Sequence, residues 1–117
     1  MAGVLLSFEG GEGCGKTTQI ELLADLLRER GHDVVVTREP GGTPLGKVLR
    51  QILLNAQWKQ QVEQQGAEPL AAQAELLLML ADRAQHIQAV IAPSLLAGQI
   101  VLCDRFADST TAYQGHG

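Results

Sequence analysis

The chain has 117 residues, 45% of them apolar and 19% charged, with a formal charge of −4. That length gives one compact unit, and the composition is that of a globular protein, neither disordered nor low-complexity. The acidic balance argues against a broad basic surface for nucleic acid or anionic lipid, so an anionic ligand must be met by a few local cations.

Residues 3–8 form a short apolar run that ends in a glycine-rich turn, the pattern of a strand buried on both faces. From Lys16 onward Ile20, Leu23 and Leu27 recur at helical spacing, with Leu22 and Leu26 widening the face. This helix should stop near Gly31, with Arg28 and Arg30 in its last turn where cations suit the dipole. Residues 33–37 hold Val34-Val35-Val36, a second buried strand. Thr43-Pro44 then offers a cap and a first-turn proline, ahead of an apolar stripe of Leu45, Val48, Leu49, Ile52 and Leu53.

Residues 56–68 break the pattern with five glutamines, Trp58 and Gly66, and read as a surface connection. Pro69 should open the next helix, whose residues from Leu76 to Leu80 are apolar all round and so should be buried from several sides. Pro93 must end or kink it, and Gly98 closes the helical region before a third strand over residues 99–103. No stretch reads as a signal core or a membrane span. The apolar run at 3–8 is too short, and residues 84–103 are interrupted by Gln85, His86, Gln88, Pro93 and Gly98. Cys14 and Cys103 cannot build a disulfide framework, and a reducing, cytoplasmic setting is expected, with no membrane and no nucleic-acid partner.

Strands separated by helical crossovers imply a parallel sheet in a layered α/β fold, with ligands beyond the carboxyl ends of the strands. Each strand is followed at once by a polar, glycine-rich or charged segment: residues 9–18, 38–43 and 104–117. All three should project toward one edge of the sheet.

Gly10-Gly11-Glu12-Gly13-Cys14-Gly15-Lys16-Thr17 matches G-x-x-x-x-G-K-[ST] in full, between a strand and an amphipathic helix. Glycines let successive backbone N–H groups turn around phosphate oxygens, and the helix N-terminus adds positive dipole. Lys16 should reach the β- and γ-phosphates, and Thr17 should place its hydroxyl on Mg²⁺, with Thr18 beside it. The D-x-x-G and N-K-x-D strings of a GTPase are absent, which leaves a small P-loop kinase ahead of other ATP-binding modules. Arg38 and Glu39 follow the second strand as a cation–anion pair that can serve a ligand or simply clamp each other. Asp104 puts a carboxylate opposite the phosphate loop, where it can hold Mg²⁺, and Arg105 beside it can grip a phosphate bidentately. His32, His86 and His116 lie far apart without metal spacing, and Asp82 reads as a helix-surface charge.

The run from Phe8 to Thr18, TREPGGT at 37–43, Asp104-Arg105-Phe106 and Ala112-Tyr113-Gln114-Gly115 together resemble the bacterial thymidylate kinase family. The resemblance spans essentially the whole chain. It implies a P-loop NTPase-like three-layer α/β/α fold with a parallel sheet, and residues 1–117 as the N-terminal part of the kinase domain. It also implies Mg-dependent transfer of the ATP γ-phosphate to dTMP, giving dTDP, by a homodimer. By position, Gly10, Gly11, Gly13, Cys14 and Gly15 would hold ATP phosphates with Lys16, Thr17 and Thr18. Glu12 would sit by the acceptor and its metal, with Lys16 and Arg105 carrying catalysis beside it. Arg38 and Glu39 would line the acceptor side, the latter near the sugar, and Arg50 and Arg105 would clamp the acceptor phosphate. Arg83 would read the thymine edge with Thr110 and Gln114, and Tyr113 would pack below the sugar.

The chain departs from the family pattern in two places. Met79 stands where the family commonly stacks an aromatic on thymine, which leaves a related nucleoside-monophosphate kinase of different base preference as an alternative. The phosphate loop holds no arginine, and the chain stops before the lid that would carry one. A truncated sheet and a non-catalytic ATP-binding fragment follow as further expectations.

Overall fold

A computed structural model describes residues 2–10, 15–54 and 70–106. In chain order the elements are β1 (Val4–Glu9), α1 (Lys16–Glu29), β2 (Val34–Glu39), α2 (Pro44–Leu54), α3 (Ala72–His86), a π-helical turn (Ile87–Ile91), α4 (Ala92–Leu96) and β3 (Ile100–Arg105). The strands form a parallel sheet in the order β1-β3-β2. β3, last in sequence, is therefore central, and the carboxyl ends of all three strands lie side by side, as the sequence requires. Residues 56–68, Pro69 and the segment from 107 onward fall outside the described residues.

Local chemistry explains most of the boundaries. α1 ends on Gly31 at φ 90°, where Gly31 N–H bonds Arg28 C=O and His32 N–H bonds Leu27 C=O, the Schellman pair that glycine permits. The same pair recurs at Gly98, whose N–H bonds Leu95 C=O while Gln99 N–H bonds Ser94 C=O. At the start of α2 the Thr43 hydroxyl accepts from Gly46 N–H at 2.9 Å, with Pro44 in the first helical position. Pro93 does not end the helical region: it stands in the first turn of α4, directly after the π-helical turn. The turn before it widens, with Ala92 N–H donating to Ile87 C=O five residues back, and this lets the chain pass a residue with no N–H.

The core is smaller than the apolar pattern suggests. Ile20 and Ala24 of α1 pack with Val34 and Leu102, flanked by Phe8, Leu23, Leu27 and Ile100. Three expectations are corrected. β1 is not buried on both faces: it pairs only with β3, α1 lies mainly over β2 and β3, and Val4, Leu5 and Leu6 are exposed. Leu22 and Leu26 widen nothing and face solvent, as do Leu45 and Val48 of α2. In α3, Leu77 and Leu80 are exposed, and the buried stripe is Met79, Asp82 and His86. Two of its three members are polar, because α3 packs against the loop after β2 and must satisfy that loop's hydrogen bonds. Among the described residues no helix is long and apolar enough to cross a membrane.

Candidate functional site at the carboxyl edge of the sheet

Strand alternation divides the site. In the parallel register Arg38 lies beside Asp104 and Glu39 beside Arg105. Successive side chains of a strand point to opposite faces, so each adjacent pair is split. Arg38 and Asp104 face α1, and Glu39 and Arg105 face α3. Arg38 and Glu39 therefore do not clamp each other, and Glu39 pairs at the core edge instead.

On the α1 face the helix begins at Lys16 behind Gly15, which has φ 76°. Among the described residues no side chain caps this terminus, and no acidic residue lies in its first turn, so its N–H groups and positive dipole suit an anion. The Lys16 ammonium donates to Gly10 C=O at 2.6 Å and Arg105 C=O at 3.0 Å, and pairs with Asp104 Oδ1 at 2.5 Å. It thereby ties the ends of β1 and β3 together. A cleft of about 560 Å³ opens here, lined by Lys16, Thr17, Thr18, Arg38 and Asp104, with Arg50 reaching in from α2 and Phe106 at its edge. Arg50 also donates to Pro40 C=O at 2.9 Å, which fixes its stem against the loop after β2.

On the α3 face Glu39 is 1% exposed and both carboxylate oxygens are engaged. Oε1 accepts from Arg83 Nε at 3.0 Å and lies 3.2 Å from Arg105 Nε, and Oε2 meets His86 Nδ1 at 2.7 Å. Arg105 Nε–H is not aimed at that oxygen and has no hydrogen-bond partner. A carboxylate only accepts, so His86 Nδ1 carries its proton toward Glu39 while Nε2 faces Thr37 Oγ1 at 2.6 Å. Burial would push the Glu39 carboxyl up, but the His86 hydrogen bond and the charges of Arg83 and Arg105 outweigh it and hold it below the ordinary carboxylate range.

Asp82 is no surface charge. It is fully buried, accepts from Gly41 N–H through Oδ1 at 3.1 Å, and leaves Oδ2 without a partner. Burial raises its carboxyl above the usual range, and the Glu39 charge adds to the rise. The loop it holds is packed to contact: a Cβ on Gly42 would lie 2.6 Å from His86 Nε2 and 2.7 Å from Arg38 C=O, and one on Gly46 would collide with Asp82 Oδ1. Cys103 completes the buried group, its thiol pushed up to about 11 by burial and then by the Glu39 charge. Donor atoms of Glu39, His86 and Cys103 lie within 4.8 Å of one another. Those of Glu39 and His86 are already hydrogen-bonded, and two arginines adjoin them, so the cluster is a hydrogen-bonded core and not a cation cage.

The sequence thus places Gly10, Gly15, Lys16, Thr17, Thr18, Arg38, Arg50 and Asp104 around one edge and one cleft, with Glu39, Arg83 and Arg105 bound to each other behind it. Met79 is buried and does not line the cleft. Gly11, Glu12, Gly13, Cys14, Thr110, Tyr113 and Gln114 lie outside the described residues. Sequence reasoning missed Thr37, Asp82 and His86. The available signal was spacing: Asp82 and His86 stand three and seven residues after Met79, on one helical stripe.

A parallel sheet with the G-x-x-x-x-G-K-[ST] sequence between its first strand and helix, and cations gathered at its carboxyl edge, places the chain in the class of P-loop folds. The thymidylate kinase family profile matches residues 8–117. The chain is 55% identical to the thymidylate kinase of Desulfovibrio desulfuricans over 97% of its own length and 48% of that protein's. It is 54% identical to that of Ectopseudomonas mendocina over its whole length and 51% of the relative's. The crystal structure of thymidylate kinase from Ehrlichia chaffeensis superposes with a TM-score of 0.76 at 44% identity, covering all of this chain and 61% of that one. The chain belongs to the thymidylate kinase family, and it spans about half the length of the curated relatives it matches.

Proposed function

We propose that the protein transfers the γ-phosphate of ATP to dTMP, giving ADP and dTDP. The observation that carries this reading is the gathering of Lys16, Arg38, Arg50 and Asp104 around one cleft beside a helix N-terminus, in a chain of this family. Transfer between two polyanions needs several cations at one place, and catalysis there is mostly positioning and charge neutralisation. Lys16 and the helix terminus hold the donor phosphates, with Gly11, Glu12, Gly13 and Cys14 completing the loop. The acceptor phosphate is met by Arg38, Arg50 and Arg105, and the base by Arg83, Thr110 and Gln114, with Tyr113 below the sugar.

The Thr17 hydroxyl and Asp104 carboxylate are hard oxygen donors on the wall of one cleft, a set that fits Mg²⁺. When bound, the ion supplies neutralisation of the phosphate charge. Asp104 also pairs with Lys16, so this carboxylate would hold the ion while orienting the ammonium. Homodimerisation fits Leu45 and Val48 of α2 and Leu77 and Leu80 of α3, which are exposed on two helices that pack together.

The test is ADP release by the protein expressed from the complete reading frame that carries this chain, with dTMP, dUMP, dCMP, dAMP or dGMP as acceptor. Preference for dTMP is expected. Absence of dTMP-dependent release overturns the reading, and preference for another base moves it to a different monophosphate kinase.

A further inference from the structure

Glu39 touches three groups at once, and the group that holds it from behind takes no other part in the site. His86 is fully buried on α3. Its Nδ1 bonds Glu39 Oε2 at 2.7 Å, and the other oxygen of that carboxylate faces Arg83 and Arg105. A carboxylate held at one oxygen can rotate only by breaking that bond, so the imidazole fixes the plane in which Oε1 presents itself to both guanidinium groups. Arg83 and Arg105 come from different elements, α3 and β3, and Glu39 on β2 is their shared counter-ion. Both side chains remain partly exposed, 35% and 23%, so each keeps donors for a ligand.

We propose that His86 is a positioning residue for the acceptor nucleotide: acting through Glu39 and touching no ligand itself, it sets the direction of Arg83 and holds the counter-charge against Arg105. The inference rests on the assignment of those two arginines to the acceptor. Thr37 Oγ1 on Nε2 is the second support of the ring, and Gly42 packs against the same edge. The phosphate-loop side, with Lys16 bound to Asp104, meets this group only through the backbone carbonyl of Arg105 and shares no side-chain contact with it.

The two ring nitrogens can be tested separately. An asparagine amide nitrogen occupies the position of Nδ1, and a glutamine amide nitrogen that of Nε2. In the protein from the complete reading frame, His86→Asn keeps a donor for Glu39, whereas His86→Gln keeps only the contact to Thr37. Two readouts are taken: KM for dTMP and for ATP, and the NMR signal and solvent exchange of the Arg83 Nε–H. We expect His86→Asn to preserve the protected Arg83 signal. His86→Gln should expose it and raise the KM for dTMP about tenfold, with the KM for ATP unchanged. An unaltered Arg83 signal in His86→Gln overturns the proposal. So do equal effects of the two variants, a parallel rise in the KM for ATP, or failure of both variants to fold. A wild-type protein inert toward dTMP refutes the kinase reading instead, and the Arg83 signal still decides the role of His86.

Discussion

Replacing Glu39 by glutamine probes the centre of the site with little change of shape. The carboxylate is 1% exposed and meets Arg83 at 3.0 Å, Arg105 at 3.2 Å and His86 at 2.7 Å. A glutamine amide has one accepting oxygen. Either its NH₂ group faces the His86 Nδ1–H or it faces the arginines. With the proton of His86 on Nδ1, one donor meets another in either orientation, and relief requires the ring to move its proton to Nε2 and donate to Thr37 Oγ1. Removing one member of a buried ion pair costs about 3–5 kcal/mol. Because Arg83 and Arg105 are partly solvated, the cost falls below that range, to about 2–3 kcal/mol at neutral pH. The sign of the pH dependence follows from the lowered Glu39 pKa. Its stabilisation is fully present above the unfolded-state value of about 4.3 and is lost as pH falls through the still lower folded value. Urea unfolding of wild type and Glu39→Gln should therefore give a constant gap from about pH 7 to 5 that closes below about pH 4. A gap under about 0.5 kcal/mol at pH 7, or one that persists undiminished at pH 3, would refute the reasoning.

Lys16→Met should lower the urea midpoint, because the ammonium ties β1 to β3 and pairs with Asp104, and cut turnover by about two to four powers of ten; near-normal turnover at saturating ATP would sink the phosphate assignment. Asp82 has the opposite pH sign to Glu39, since its raised pKa means that the folded state takes up the proton first. Wild type should gain stability relative to Asp82→Asn as pH falls from 7 through that raised value, levelling below about 3.9, and urea melts at several pH values will show a flat difference if this is wrong. Cys103, buried and with a thiol near 11, should resist maleimide in the native protein and react on unfolding in urea. Prompt native labelling mapped to Cys103 by mass spectrometry would contradict its placement.

The phosphate loop and the ends of the elements were legible because each rests on a local rule. Lys16 opens a helix, Gly31 and Gly98 close two, and Thr43 caps a third, and none of these depends on distant partners. What the apolar pattern misjudged was depth. Leu77, Leu80, Leu22 and Leu26 look like core and are exposed, while Asp82 and His86 look like surface and are buried. Burial of a polar group depends on what lies opposite it. Here that is the loop after β2, with the Gly41 N–H and the Glu39 carboxylate waiting for partners. Periodicity reports which residues share a stripe and is silent on whether the stripe faces methyl groups or a backbone that must be hydrogen-bonded.

The paired motifs at the strand ends gain their meaning from the same geometry. Arg38-Glu39 and Asp104-Arg105 each join a cation to an anion in adjacent positions, in opposite order. In register, the strand period places Phe8, Asp104 and Arg38 on one face and Glu9, Arg105 and Glu39 on the other. Neither pair can neutralise itself, because its members point apart. Each charge must find its partner on another element: Asp104 on Lys16 of α1, and Glu39 on Arg83 of α3 and Arg105 of β3. The result is one ion pair under the cleft and one three-membered charge group behind it, separated by the sheet yet joined through the backbone of two strands. Arg105 shows the link most directly, since its carbonyl accepts from Lys16 on one face while its guanidinium lies against Glu39 on the other. A single-residue insertion between Arg38 and Glu39 would turn Glu39 to the other face and break the three-membered group, and one between Asp104 and Arg105 would remove Arg105 from it, while the Asp104–Lys16 pair would stand. The adjacency of the charged residues is therefore what connects the side assigned to the donor with the side assigned to the acceptor.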